Sequence, residues 1–166
     1  MSISAIFAVD YNGGMGLNGS LPWPHNAEDL ANFQRITNNN VVVMGRRTWD
    51  DPKMPKPLRD RITYVATNRP VTLTASFSGD ICKNLLRLEQ LHADKEIFVI
   101  GGVNLLESAR GLFDQVYLTH FKGAYRADTR IYVKEFLVGF SPVRAQVSRD
   151  FQSTFTVYQS IFKRQQ

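Results

Sequence analysis

Apolar positions in this chain fall into short runs rich in β-branched and aromatic residues, separated by stretches with helical spacing. The runs 3–10, 41–45, 62–67, 96–102 and 115–121 predict strands. Between them, 28–38 places Leu30, Phe33 and Ile36 on one helical face, and 84–92 repeats the spacing with Leu85, Leu88 and Leu91. Segment 103–110 predicts a short helix after a glycine pair. Near the C-terminus, 143–149 and 154–163 alternate (Phe155, Val157, Gln159, Ile161), which predicts an antiparallel hairpin on one sheet edge. Strands alternating with helices give an α/β fold: one domain over 1–166, with a mostly parallel central sheet and flanking helices. Segment 11–27, with Gly13, Gly14, Gly16, Gly19, Pro22 and Pro24, predicts a long loop directly after the first strand. Loops of that length are usually functional.

Composition narrows the class. With 43% hydrophobic and 21% charged residues in 166, the chain is long enough for its own core and is not of disordered type. No apolar run approaches the ~20 residues of a membrane span, and there is no signal-peptide pattern. The single Cys82 cannot form an internal disulfide, so a cytoplasmic protein is the expectation. A net charge of +5 and a pI near 9.5 point to anionic partners. The basic residues are scattered, and no helix-turn-helix, zinc-finger spacing or RNA-binding signature accompanies them, so small phosphate- and carboxylate-bearing ligands fit better than nucleic acid.

Gly14-Met15-Gly16-Leu17-Asn18-Gly19 spells G-x-G-x-x-G after a strand. That dinucleotide fingerprint requires a helix opening at its last glycine, and Ser20-Leu21-Pro22-Trp23-Pro24 cannot supply one in register. Gly101-Gly102-Val103-Asn104 does join a strand to a helix start, and is open to two readings: a phosphate cradle, or a tight connection with no ligand. Met44-Gly45-Arg46-Arg47-Thr48-Trp49 sets two guanidinium groups where a helix begins, unfavourable unless an anion compensates them. Thr67-Asn68-Arg69 adds polar and basic groups at the same carboxyl edge, where open parallel sheets bind ligands. Asp29, in the first turn of its helix, is either a dipole complement or an acid–base group; Trp23, Phe33 and the Gly/Pro loop around it favour the second. His25, His92 and His120 lack ligand spacing, so no metal is expected.

Together these residues resemble dihydrofolate reductases. The resemblance rests on Ile6-Phe7-Ala8-Val9-Asp10, Met15-Gly16, Asn18-Gly19-x-Leu21-Pro22-Trp23, Asp29-Leu30-x-x-Phe33, the M-G-R-x-T-W element at 44–49, Arg61, Ile100-Gly101-Gly102, Tyr117-Leu118-Thr119 and Asp128-Thr129, in family order over roughly 3 to 130. It implies a dihydrofolate-reductase-like fold and NADPH-dependent reduction of 7,8-dihydrofolate. Asp29, Trp23 and Thr119 are then the catalytic residues, Asp29 holding the pterin's amidine edge with help from Thr119. Ile6, Phe7, Ala8, Leu30, Phe33, Leu58 and Ile100 contact the substrate, and Arg61 binds the α-carboxylate of its glutamate tail. For the cofactor the resemblance implies Ala8, a loop of Met15, Gly16, Asn18 and Ser20 over the nicotinamide, and Gly45, Arg46, Arg47, Thr48, Thr67, Asn68 and Arg69 at the phosphates. It adds Ile100, Gly101, Gly102, Val103, Asn104, Leu105, Leu106 and Thr129. Family members usually carry Tyr or Phe where Leu106 stands, and a small residue at Val103. The expected partners are dihydrofolate, NADPH and antifolate-type molecules, taken up by a monomer. Two alternatives are a reductase of the same fold acting on a riboflavin precursor, which would not need Pro22-Trp23 or Asp29, and a non-catalytic nucleotide- or nucleic-acid-binding protein on this scaffold.

Overall fold

The structure, a computed structural model, describes residues 2–56, 58–162 and 164. Its strands are β1 (Ile3–Val9), β2 (Gly14–Gly16), β3 (Val41–Gly45), β4 (Ile62–Ala66), β5 (Ala75–Phe77), β6 (Ile97–Val99), β7 (Gln115–Phe121), β8 (Thr129–Arg130), β9 (Phe140–Val147) and β10 (Ser153–Ser160). The helices are α1 (Ala27–Thr37), α2 (Arg46–Trp49), α3 (Ile81–Leu91), α4 (Val103–Ala109) and α5 (Val133–Phe136). Eight strands form one sheet in the order β5-β4-β3-β6-β1-β7-β10-β9. Pairing is parallel from β5 through β7, and antiparallel where β10 joins β7 and β9. The expected mostly parallel sheet with a C-terminal hairpin is therefore present.

Strand alternation divides the molecule into two layers. Ala5, Phe7 and Val9 of β1, Val41 and Val43 of β3, and Val116 and Leu118 of β7 join the large core with Leu85 and Leu88 of α3 and Leu105 and Leu106 of α4. The intervening residues face the other way. There Val42 and Met44 pack with Trp49, Leu58 and Val65, and Ile100 lies against them. α1 covers this second face and is held by Thr119 of β7. Its start is capped by the Asn26 side chain, which accepts from the Asp29 N–H at 2.9 Å. Of α1 only Thr37 is buried, and Leu30 remains 40% exposed. An amphipathic helix that keeps its apolar side open borders a cleft rather than closing a core.

Several elements depart from the sequence expectation. β6 stops at Val99: Ile100 N–H still donates to Val43 O, and the glycine pair after it turns away. α3 starts at Ile81, three residues early, because Asp80 caps it through the Lys83 N–H. The loop 11–27 contains β2, which pairs with β8 and ties the loop to residues 129–130.

Candidate active site

Asp29 is the polar centre of the cleft. Thr119 Oγ1 donates to its Oδ1 at 2.7 Å, the only protein hydrogen bond to that carboxylate among the described residues. Burial pushes the Asp29 carboxyl above its usual range, and the Thr119 bond only partly offsets this. Beside it, Trp23 is buried against Phe121, with ring centroids 4.7 Å apart, and against Tyr125 at 6.4 Å. The Pro-Trp segment is thus pinned at the entrance of α1.

Ile6 and Ala8 project from β1 on the α1 side, next to Tyr117 and Thr119 on β7. Leu30, 40% exposed, and the half-buried Phe33 lie on α1 one and four residues after Asp29, and Ile100 follows β6 against the Val42 and Met44 cluster. Phe7 does not join them. Its ring lies on the opposite sheet face, edge-on to Phe136 at 5.4 Å. At the outer end the Arg61 guanidinium sits 5.7 Å over the Phe33 ring. Arg61 Nε donates to Arg59 O at 2.8 Å and Nη1 to Thr37 Oγ1 at 3.3 Å. These bonds fix the fork and leave Nη2 without a protein acceptor among the described residues. Leu58 is buried behind it.

The carboxyl edges of β3, β4 and β6 form a second cluster. Gly45 N donates to Gly101 O at 2.8 Å, so the turns after β3 and β6 touch. A Cβ on Gly101 would come 3.6 Å from Thr48 Oγ1, and one on Gly45 equally close to Gly101 O. Gly101 has φ +140°, and its peptide bond to Gly102 is cis. The basic residues are not equivalent here. Arg46 Nε donates to both Asp50 oxygens at 3.1 Å and Nη1 to Pro70 O at 3.0 Å, while Arg69 reaches Asp50 only at 4.0 Å. Asp50 is thus an internal anion for the cations at the α2 start, which sequence reading missed although it stands four residues after Arg46. Thr67 Oγ1 accepts from the Arg69 N–H at 3.2 Å, and Arg47 is exposed. Leu105 and Leu106 are buried in the core.

The glycine loop is anchored at both ends. Asp10, buried after β1, accepts from the N–H groups of Asn12, Gly14 and Tyr125 at 2.8–2.9 Å. Burial opposes ionisation of Asp10, but these N–H groups and Arg130 outweigh it and lower its pKa. At the tip, Asn18 N donates to Asp128 Oδ2 at 2.8 Å. Met15 packs against the core and Gly16 pairs with Thr129. Ser20 Oγ is buried with no partner among the described residues.

A family model described as dihydrofolate reductase matches residues 2–160 of this chain. The chain belongs to the dihydrofolate reductase family. Dihydrofolate reductase type 9 of Escherichia coli is 33% identical over 138 residues, which span 78% of this chain and 76% of the relative. The dihydrofolate reductase of Bacillus subtilis is 34% identical over 128 residues, 76% of this chain and 73% of the relative. The solved structure of dihydrofolate reductase from Enterococcus faecalis complexed with NADP(H) and RAB-propyl superposes with a TM-score of 0.81 over 97% of both chains. At 23% identity that likeness bears on the fold.

Proposed function

We propose that this protein reduces 7,8-dihydrofolate to 5,6,7,8-tetrahydrofolate with NADPH, at the cleft bounded by α1, β1 and β7. The observation that carries the reading is the Asp29–Thr119 pair: a half-buried carboxylate of raised pKa where α1 meets β7. A carboxylate so placed accepts two parallel N–H bonds from an amidine edge and titrates nearer neutrality than a solvated one. Ile6, Ala8, Leu30, Phe33 and Ile100 contact the ring faces, and Arg61, presented through its free Nη2, grips the tail carboxylate.

The residues present fit the cofactor. The touching turns after β3 and β6 sit beside Arg46, Arg47 and Arg69, and the buried Ser20 hydroxyl lacks a partner among the described residues that an amide could supply. NADPH supplies the hydride when bound. Thr48, Thr67, Asn68, Arg47 and Arg69 hold its phosphates, Gly101, Gly102, Val103 and Asn104 border the pyrophosphate, and Met15, Gly16, Asn18, Ser20 and Ala8 enclose the nicotinamide end. Trp23 keeps the loop entrance rigid, and the loop excludes water from the reacting faces. Asp29 holds the substrate and the proton delivered beside the hydride acceptor. We place the protein in the cytoplasm as a monomer, on its single cysteine and on a site completed within one chain. Loss of NADPH absorbance on mixing with dihydrofolate tests the reading; no loss with dihydrofolate, alongside turnover of a riboflavin precursor, would replace it.

A further inference from the structure

α1 stands between two hollows. Leu30, Phe33 and Thr37 face the substrate cleft, and the opposite side of the helix (Glu28, Ala31 and Asn32) faces a cavity of about 460 Å³ over β7, β10 and β9. Asp29 and Thr119 line this cavity too. The cavity floor is Ser153 and Phe155 of β10, and its mouth is open at the exposed Ala31, Gln146 and Arg149. A space of this size with polar walls is hydrated.

We propose that this rear cavity is a solvent port for Asp29, through which a proton reaches its carboxylate while dihydrofolate covers the front. The proposal rests on the reductase reading above. A half-buried carboxylate needs several donors, from protein or water, and Thr119 supplies one, to Oδ1. Oδ2 accepts no hydrogen bond from the described residues, and the half-buried Asp29 lines the cavity. Bound substrate walls off the side bordered by Leu30 and Phe33, and the cavity is then the remaining path to bulk water. Hydronium in the cavity gives its proton to the carboxylate and becomes water. The acid passes that proton toward the ring nitrogen as the hydride arrives at the adjacent carbon, and the carboxylate returns. One proton is consumed per hydride.

The charged groups around the port, besides Asp29, are Glu28, the rim cation Arg149 and, beyond the rim, Asp150. Glu28 is engaged by the Arg149 N–H at 3.1 and 3.3 Å, and Asp150 beyond the rim accepts from Ser148 Oγ at 2.6 Å. Thr119 of β7, Gln146 and Ser148 on the β9 side, and Ser153 and Phe155 of β10 bring no charge. Burial already raises the Asp29 pKa, and removing its rear water would raise it further.

The test fills the cavity from its rim, with Ala31→Leu and separately Asn32→Leu, and uses Gln34→Leu, exposed on the same helix, as control. The ¹³C titration of the Asp29 carboxyl is followed in the free proteins, and single-turnover hydride transfer against pH is measured in H₂O and D₂O. Both filled variants should shift the Asp29 midpoint and the rate profile upward by about half a pH unit or more. Their solvent isotope effect should also exceed the wild-type value, with the dihydrofolate KM changed less than about twofold. A filled variant with wild-type melting, midpoint and isotope effect overturns the port. If the wild type does not reduce dihydrofolate, the reductase reading fails instead, and the carboxyl titration still decides whether the cavity hydrates Asp29.

Discussion

Thr119 on β7 and Asp29 on α1, 90 positions apart in sequence, meet through a 2.7 Å hydrogen bond that holds the helix to the sheet beside the proposed substrate cleft. The same contact fixes the geometry of the carboxylate and sets part of its acidity.

Replacing the carboxylate should therefore cost catalysis more than folding. Asp29→Asn is expected to slow hydride transfer at pH 7 by about 100-fold or more, the usual scale of acid–base assistance, with partial recovery in acid. Stopped-flow measurement across pH 5 to 9 checks it, and a near-normal rate at neutrality would remove Asp29 from the mechanism.

The same substitution should stabilise the protein at neutral pH. Asp29 has a folded pKa above its unfolded value, so the stability linked to its protonation is full below the unfolded pKa and lost as pH rises through the folded one. Asn cannot ionise and escapes that loss. The Tm of Asp29→Asn should exceed that of the wild type at pH 7, and the gap should close below the unfolded pKa. A gap independent of pH would mean that something other than ionisation separates the two.

Much of this arrangement could be read from the chain because burial imposes periodicity. β1 and β3 are apolar runs buried on both faces, β7 alternates buried Val116 and Leu118 with half-buried Gln115 and Tyr117, and α1 shows its cleft-facing stripe in Leu30 and Phe33. β5 was invisible because only Phe77 of its three residues is buried. β2 and β8 make too few bonds to leave a pattern, and the four-residue α5 is shorter than a helical repeat. In the site, residue types marked Asp29, Arg61 and the glycine pair, whereas the aim of Phe7 away from the cleft depended on strand register. Asp50 and Thr37, which position Arg46 and Arg61, carried no chemical signal of their own beyond spacing.

Cofactor preference should expose the role of Asp50. The wild type is expected to favour NADPH over NADH, and an Arg46→Ala/Arg69→Ala double variant should lose about 10- to 150-fold in NADPH affinity. Because Asp50 binds Arg46 and stands near Arg69, Asp50→Ala should tighten NADPH by severalfold and leave NADH nearly unchanged. Fluorescence titration measures all three, and equal use of both cofactors by the wild type sinks the assignment.

Arg61→Leu should raise the dissociation constant of dihydrofolate by at least about 10-fold, or ~1.4 kcal/mol. A pterin fragment without the glutamate tail should bind almost as before. Equal losses for both ligands would mean that Arg61 acts through its contacts with Phe33 and Thr37 rather than on the tail.

Asp10→Ala should loosen the glycine loop, since three backbone N–H groups lose their acceptor, each such bond to a charged group contributing about 1.5–3 kcal/mol. The folded pKa of Asp10 is depressed, so its contribution is present above the unfolded pKa and disappears as pH falls through the folded value. Urea melts at pH 7 and in acid should show the variant's deficit shrinking with acid. A constant deficit would assign the effect to packing.

The sheet is graded in wetness from centre to edge. Val41, Val42, Val43 and Met44 of β3 and Ile97 and Val99 of β6 are wholly buried, whereas β9 is exposed at every position after its first. Amide hydrogen exchange in such a structure proceeds from the rim inward, with local openings at β9 and the glycine loop and only global unfolding at β3 and β6. β1, which floors the proposed cleft, pairs with β6 and shares its burial, whereas the covering loop exchanges among the fastest. Ligands will register as added protection almost entirely in the loop, leaving the deuterium uptake of the floor unchanged.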